Sequence, residues 1–334
     1  MPDISDSLVI RGRRIKNRIA MLPMVTFSFR GDDGNYFGRQ HIEHYKERAR
    51  GGAGLIIVQS TNVMGASSAT GMWTPGSVEA LTKIAANASS YGASAMLQLS
   101  CNNGADIDIN ALTEGDIRTM QQEMKHAAVQ AHAIGFHGVE FHCAHGYTLC
   151  RFLDATQNRR SDEFGSSAVN RGRIVTDMLP DIRRDTDETF IVSVRMGAYL
   201  PTRKDGLELA GIFESSGIDM LDVSYGMHIP EGPVPEDFPF GPVTHSAYVF
   251  KQALALPVIG LYEIRTEEQV RLLISGGYAD FVGIGRGMLA DPDFANHVLK
   301  SEDVNTCFTC KKCSWFTDHT QCPAQQKLTR KSTG

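Results

Sequence analysis

What most restricts the fold of this chain is a rhythm of short apolar runs separated by longer segments of helical period. The runs occupy residues 19–22, 55–58, 95–99, 138–141, 190–194, 220–223, 257–261 and 281–284. They are too short for independent helices and nearly continuous in hydrophobicity, as strands covered on both faces should be. Between them, Ile117, Met120, Met124, Ala127, Ala128, Ala131 and Ile134 fall on one helical stripe that stops at Gly135, a position suited to a left-handed helix end. Thr266 and Gln269 have capping-box spacing before a segment ending at Gly276-Gly277. A length of 334 residues divided by roughly 150 per domain suggests two domains, but barrels of about 250 residues are an exception. Strand–helix alternation without a composition shift predicts an α/β chain: a closed (β/α)8 TIM barrel over residues 1–300 and a short cysteine-rich tail over 301–334.

Barrel enzymes carry their chemistry at the C-terminal ends of the strands. Polar side chains collect there: Thr26, Gln59, Ser60, Gln98, His142, His145, Tyr147, Arg195, Ser224, His228 and Gly285-Arg286. Each alone reads as a satisfied core residue; their recurrence at one end of nearly every strand predicts a site. Open N–H groups at Gly285 beside the Arg286 guanidinium suit a phosphate, or a tight turn in which the Arg caps a helix. Two irregular stretches, 65–76 and the proline-rich 225–242, are expected as loops on the same face.

The charge balance, 33 basic against 38 acidic residues for a net of −5, gives no reason to expect a nucleic-acid partner. The densest basic run, Arg11 to Arg18, lacks interleaved aromatics and is expected as a solvated hairpin. No apolar stretch is long enough for a membrane span and the N-terminus has no signal-like leader, so a soluble, cytoplasmic protein is expected. Three of the seven cysteines are scattered, whereas Cys307, Cys310, Cys313 and Cys322 crowd together near the end. An odd total argues against a disulfide framework and the cluster reads as metal ligands. Cys-x2-Cys-x2-Cys with a distant Cys-Pro is a [4Fe–4S] arrangement; tetrahedral zinc on four thiolates is the competing reading.

The run Gly138-Val139-Glu140-Phe141-His142-Cys143-Ala144-His145-Gly146-Tyr147, continuing to Asn158-Arg159-Arg160-Ser161-Asp162-Glu163-Phe164-Gly165, resembles the signature of the Old Yellow Enzyme family of FMN-dependent reductases. Lys16-Asn17-Arg18 before Pro23-Met24, Gly51-Gly52-Ala53-Gly54, Gln98-Leu99, Val194-Arg195 and Gly285-Arg286 before Leu289-Ala290-Asp291-Pro292 support it. The resemblance implies that Pro23, Met24 and Ser60 line FMN, that Gln98 bonds its pyrimidine edge, and that Arg195 stabilises the negative charge gathered on reduction. Gly285 and Arg286, with Gly260 nearby, would hold the phosphate. His142 and His145 would bind the carbonyl of an activated alkene, with Thr26 in the pocket, and Tyr147 would protonate it. NAD(P)H or an external electron donor supplies the electrons, the partner is a small-molecule substrate, and a homo-oligomer is a family-level expectation.

Two features resemble the branch that includes 2,4-dienoyl-CoA reductase and trimethylamine dehydrogenase. His228 falls where a histidine aids substrate protonation, and the tail resembles that branch's four-cysteine iron–sulfur ligation. With no appended nucleotide-binding region before residue 334, a separate electron-transfer protein is expected as partner. The readings are therefore reduction of an enone, enoate or enoyl-CoA, oxidation of an amine-type substrate with electrons leaving through the cluster, or a non-catalytic electron-transfer subunit. Departures from the family pattern are a shortened segment after Gln98 that lacks the usual Arg, and Tyr262 where a phosphate-binding glycine is common. Tyr262 can serve there only if its backbone adopts a conformation the side chain tolerates.

Overall fold

The computed structural model describes residues 2–29, 31, 36–64, 73–101, 107–229 and 234–332. Most of the first expected loop (65–72), part of the second (230–233) and the centre of the shortened segment after Gln98 (102–106) lie outside the described residues.

Each apolar run becomes a strand. After an antiparallel hairpin, β1 (Leu8–Ile10) and β2 (Arg13–Ile15), come β3 (Ile19–Met21), β4 (Leu55–Asn62), β5 (Ser94–Ser100), β6 (Gly138–Cys143), β7 (Ile191–Gly197), β8 (Met220–Ser224), β9 (Val258–Leu261) and β10 (Phe281–Ile284). The last eight are parallel and close on themselves, β10 pairing with both β9 and β3. This is a (β/α)8 TIM barrel.

The strands outrun the hydrophobic runs that mark them. β4 continues through Gln59 and Ser60 to Asn62, β6 through His142 to Cys143, and β7 through Arg195 to Gly197. Backbone pairing continues where side-chain polarity begins, so these site residues sit on rigid strand and not on the loops beyond it.

Helices form the outer layer where the sequence supplies both stripe and caps. In Glu114–Ala133, Thr113 accepts from Asp116 N–H at 3.1 Å while the Asp116 carboxylate accepts from Thr113 N–H at 2.9 Å. The buried stripe is Ile117, Met120, Met124, Ala127, Ala128 and Ala131, and Gly135 follows the helix at φ +95°. Thr266 and Gln269 close the same box on Glu267–Ser275.

The basic hairpin lies across the N-terminal end of the barrel. Its Ile10 and Ile15 are buried with Leu55, Met96, Met220 and Phe281 inside the barrel, while Arg11 and Arg14 are exposed. The tail docks against the first and last barrel units. Trp315, Cys322 and Ala324 pack on Phe29, Leu289 and Ala290, and Asn305 bonds Asp291 Oδ2 and the carbonyls of Ala290 and Ala324 at 2.8 to 3.0 Å. Among the described residues no helix is long and apolar enough to cross a membrane.

Candidate functional site

Inside the barrel, side chains alternate along each strand with period two, and their character changes from one end to the other. Met96 is followed by Gln98 on β5, Ile191 by Ser193 and Arg195 on β7, and Met220 by Asp222 and Ser224 on β8. Register gathers the polar positions into rows: Gln98, Glu140 and Ser193 are cross-strand neighbours, and His142, Arg195 and Asp222 form the row above.

In the lower row Gln98 Nε2 donates to Glu140 Oε1 at 2.8 Å and Ser193 Oγ to Glu140 Oε2 at 3.4 Å. In the upper row Arg195 Nε stands 3.5 Å from Asp222 Oδ2. That is an ion pair without a hydrogen bond, since Arg195 Nε and both Asp222 oxygens lack hydrogen-bond partners. Glu140 and Asp222 are fully buried. Burial pushes both carboxyls up, the Asp222 charge pushes Glu140 further, and Arg195 opposes the shift in each.

At the mouth, four side chains form one chain of hydrogen bonds. Ser60 Oγ lies 3.2 Å from His142 Nδ1, His142 Nε2 3.0 Å from His145 Nδ1, and His145 Nε2 2.9 Å from Ser224 Oγ. Burial, with Arg195 adding to it, pushes His142 down to about 3; for His145 the same causes and then His142 push it to about 2. Both imidazoles are therefore neutral, each with one N–H and one bare nitrogen, so the protons along the chain must all point one way. His145 is held at φ +63°, with its N–H on the Tyr225 carbonyl at 3.1 Å and its ring 4.4 Å from the Tyr225 ring. Tyr147 is 43% exposed, its ring 5.0 Å from that of His142, which leaves the phenol open to a bound molecule.

The remaining sequence candidates are placed unevenly. Thr26 is buried, and its N–H and hydroxyl both donate to Gln59 Oε1 at 3.1 and 2.7 Å. Pro23 and Met24 follow β3, with Met24 against Gly285, where a Cβ would lie 3.0 Å from its sulfur. Gly285, at φ −94° and ψ −96°, opens the short helix Arg286–Ala290. A Cβ on Gly260 would approach Ala279 Cβ to 2.7 Å and meet Leu273, so close helix packing demands this glycine and a phosphate could meet only its main chain. Tyr262 does take a left-handed conformation, φ +85°, as does Glu263 at +60°; both are sparsely populated for side-chain-bearing residues. His228 is exposed on the loop after β8, and it is Ser224 and Tyr225 from that segment that touch the histidine pair.

Arg286 is exposed, and with all four tail cysteines and Trp315 it lines a single cavity. Among the described residues no three His, Cys, Asp or Glu side chains converge to hold one metal ion. Residues that sequence reasoning gave no role are Glu140, Asp222 and Tyr225. The one available signal was an acid inside each of two apolar runs.

A buried guanidinium whose Nε has no hydrogen-bond partner, the Gln98 amide in the row below it and an open glycine turn at the last strand fit a flavin with a phosphate tail. Comparison with known proteins agrees. The NADH:flavin oxidoreductase / NADH oxidase family model matches residues 7–110 and 103–305. NADH oxidase of Thermoanaerobacter brockii is 29% identical over 89% of this chain and 51% of its own length. NADPH dehydrogenase of Geobacillus sp. (strain WCH70) is 31% identical over 85% of this chain and 89% of its own. Among solved structures, 2-naphthoyl-CoA reductase in complex with 2-naphthoyl-CoA superposes with a TM-score of 0.80 at 21% identity, covering 95% of this chain and 56% of that one. An old yellow enzyme homologue from Zymomonas mobilis gives 0.76 at 20%, covering 96% and 99%. The structural matches show the shared fold; the chain spans about half the length of the NADH oxidase and of the naphthoyl-CoA reductase.

Proposed function

Because this chain belongs to the NADH:flavin oxidoreductase / NADH oxidase family and is thus an FMN oxidoreductase, we propose that it reduces a carbon–carbon double bond conjugated to a carbonyl, as in an enone, enoate or enoyl-CoA. The observation that carries this reading is the pair of neutral histidines beside an accessible phenol, with His142 the cross-strand neighbour of Arg195. Bound FMN supplies hydride chemistry fed by NAD(P)H. Gln98 and Arg195 would meet the pyrimidine edge of the ring, Pro23, Met24 and Ser60 its flank, and Gly285, Arg286 and the main chain at Gly260 the phosphate.

The chain's own residues then divide the work. The Arg195 guanidinium holds the negative charge that reduction brings to the ring. His142 and His145 turn their N–H donors, one held by the other ring and one by a serine at the end of the hydrogen-bond chain, to the substrate carbonyl oxygen and draw electron density from the double bond. Being neutral, they polarise the carbonyl without releasing a proton to it. The Tyr147 hydroxyl gives its proton to the α carbon as hydride reaches the β carbon, and is reprotonated from solvent. Thr26 contributes by fixing Gln59, and His228 by shaping the exposed rim.

The cysteine cavity favours one addition. Four thiols around a common space, three in close series with a distant Cys-Pro, suit a [4Fe–4S] cluster on Cys307, Cys310, Cys313 and Cys322 better than zinc. A cluster there would exchange single electrons with a separate protein, which also admits the oxidative, amine-dehydrogenase-like reading.

Anaerobic photoreduction of the purified holoprotein followed by mixing with enones, enoates and enoyl-CoA thioesters tests the main reading. Rapid reoxidation by one class is expected; indifference to all of them overturns it. Iron, acid-labile sulfide and zinc counts test the tail, and zinc without iron removes the cluster.

A further inference from the structure

Beside and beneath Arg195 the barrel encloses more acid than the catalytic reading uses. Glu140 and Asp222 are each 0% exposed and Arg195 is 8% exposed. The groups facing them are Gln98 from β5, His142 from β6, Ser193 from β7, His145 beyond β6, Tyr225 beyond β8, and apolar Ile259 on β9, with the neutral Cys143 thiol behind β6. The histidines are neutral, so Arg195 is the one cation among these described neighbours. Two ionised carboxylates against one guanidinium would leave an uncompensated negative charge in a dry interior, which is costly enough that one carboxyl must stay protonated.

The two acids are not equivalent. Glu140 is held on both oxygens, by Gln98 and Ser193. Neither Asp222 oxygen accepts a hydrogen bond, and Asp222 depends on the guanidinium 3.5 Å away. Any second anion placed over Arg195 competes for that guanidinium. Hydride from a nicotinamide donor delivers two electrons and one proton to the flavin ring, leaving one added negative charge there.

We propose that the Glu140–Asp222 pair takes up one proton from solvent when the flavin over Arg195 is reduced, and returns it on reoxidation. In balance, nicotinamide hydride plus ring gives oxidised nicotinamide and a ring bearing one added negative charge, while one solvent proton converts the Asp222 carboxylate to its acid. Transfer of hydride from the ring to substrate removes the negative charge and the proton leaves. Arg195 thus stays paired with one anion throughout, and the two acids are positioning residues that set how strongly it serves the ring. The inference rests on the flavin reading above. The upward push of burial on both carboxyls agrees with it.

The test uses FMN-loaded protein. Reduced-minus-oxidised infrared difference spectra should show a newly protonated carboxyl band that shifts in D2O and is lost when both acids are replaced, in Asp222→Asn/Glu140→Gln. Proton uptake on photoreduction, followed with a pH indicator in weak buffer near neutrality, should be close to one proton per two electrons higher in wild type than in the variant. Equal proton counts, or no carboxyl band in the wild type, overturn the inference. Should the double variant fail to fold, the wild-type band decides it, and Asp222→Asn alone should move the band to the frequency of the remaining Glu140 carboxyl; an unmoved band overturns its assignment to the pair. A protein that binds no flavin refutes the functional reading, whereas one that binds flavin without the band refutes only the carboxyl pair.

Discussion

The two ends of this barrel are built from the same strands and do opposite things. At the N-terminal end the inward positions are Met96, Ile191, Met220 and Phe281, sealed by Ile10 and Ile15 of the hairpin. Two or four residues further along the strands they are Gln98, Ser193, Arg195, Asp222 and Ser224. The first end stabilises by excluding water; the second places charges and hydrogen-bond donors where a flavin and a conjugated carbonyl would lie. Stability and chemistry are separated by about two residues of strand, roughly 7 Å at 3.3 Å per residue.

If that division holds, substitutions at the two ends should fail differently. The largest effect is expected for Arg195→Met, which strands Asp222 and Glu140 without a cation. Unfolding free energy should fall by about 3–5 kcal/mol, and flavin reduction by NAD(P)H in the folded fraction should slow ~10²–10³-fold, measured by denaturant titration and stopped flow. Phe281→Ala at the closed end should cost about 3–5 kcal/mol while leaving that reduction rate within about twofold. A rate loss as large as that of Arg195→Met would erase the distinction.

The pH dependence of the polar end adds a second contrast. His142 and His145 sit at about 3 and about 2, below an unfolded value near ~6.5. The unfolded chain therefore binds protons that the folded one refuses, and stability is lost as pH falls below ~6.5 toward those values. The two carboxyls are raised, so their contribution is complete below the unfolded value of ~4 and is lost as pH rises through their folded values. Denaturation midpoints from pH 5 to 8 should flatten on the acid side in His142→Gln and on the alkaline side in Glu140→Gln. The smallest effect is expected far from either end: Lys83→Ala removes an exposed pairing with Glu79 on the helix Pro75–Ser90, and thermal unfolding should not move measurably.

The strand-helix rhythm made the architecture legible, because strands covered on both faces must be apolar and a barrel repeats them. Strand ends were less legible: at Gln59, His142 and Arg195 the run of hydrophobicity stops while the ladder continues, and periodicity does not report hydrogen bonding. Residues with a motif, such as His142, His145 and Tyr147, could be named from sequence. Glu140 and Asp222 could not be assigned a role, since it arises from register: only pairing across β6, β7 and β8 puts both acids beside Arg195. His228 is named through the resemblance, whereas the contact of Ser224 with His145 comes from its place on the strand itself. That Gly260 also packs against Leu273 and Ala279 is a tertiary fact that its sequence position does not carry.

The central claim is that the polar end divides its labour, Arg195 serving the flavin and Tyr147 the substrate. The most direct test is a stopped-flow comparison of the two half-reactions in Tyr147→Phe, with any substrate that reoxidises the wild-type flavin. Reduction by NAD(P)H should match wild type, while reoxidation by the substrate should slow by ~10²–10⁴-fold, the range for loss of a general acid. Equal slowing of both half-reactions, or of neither, would contradict the account.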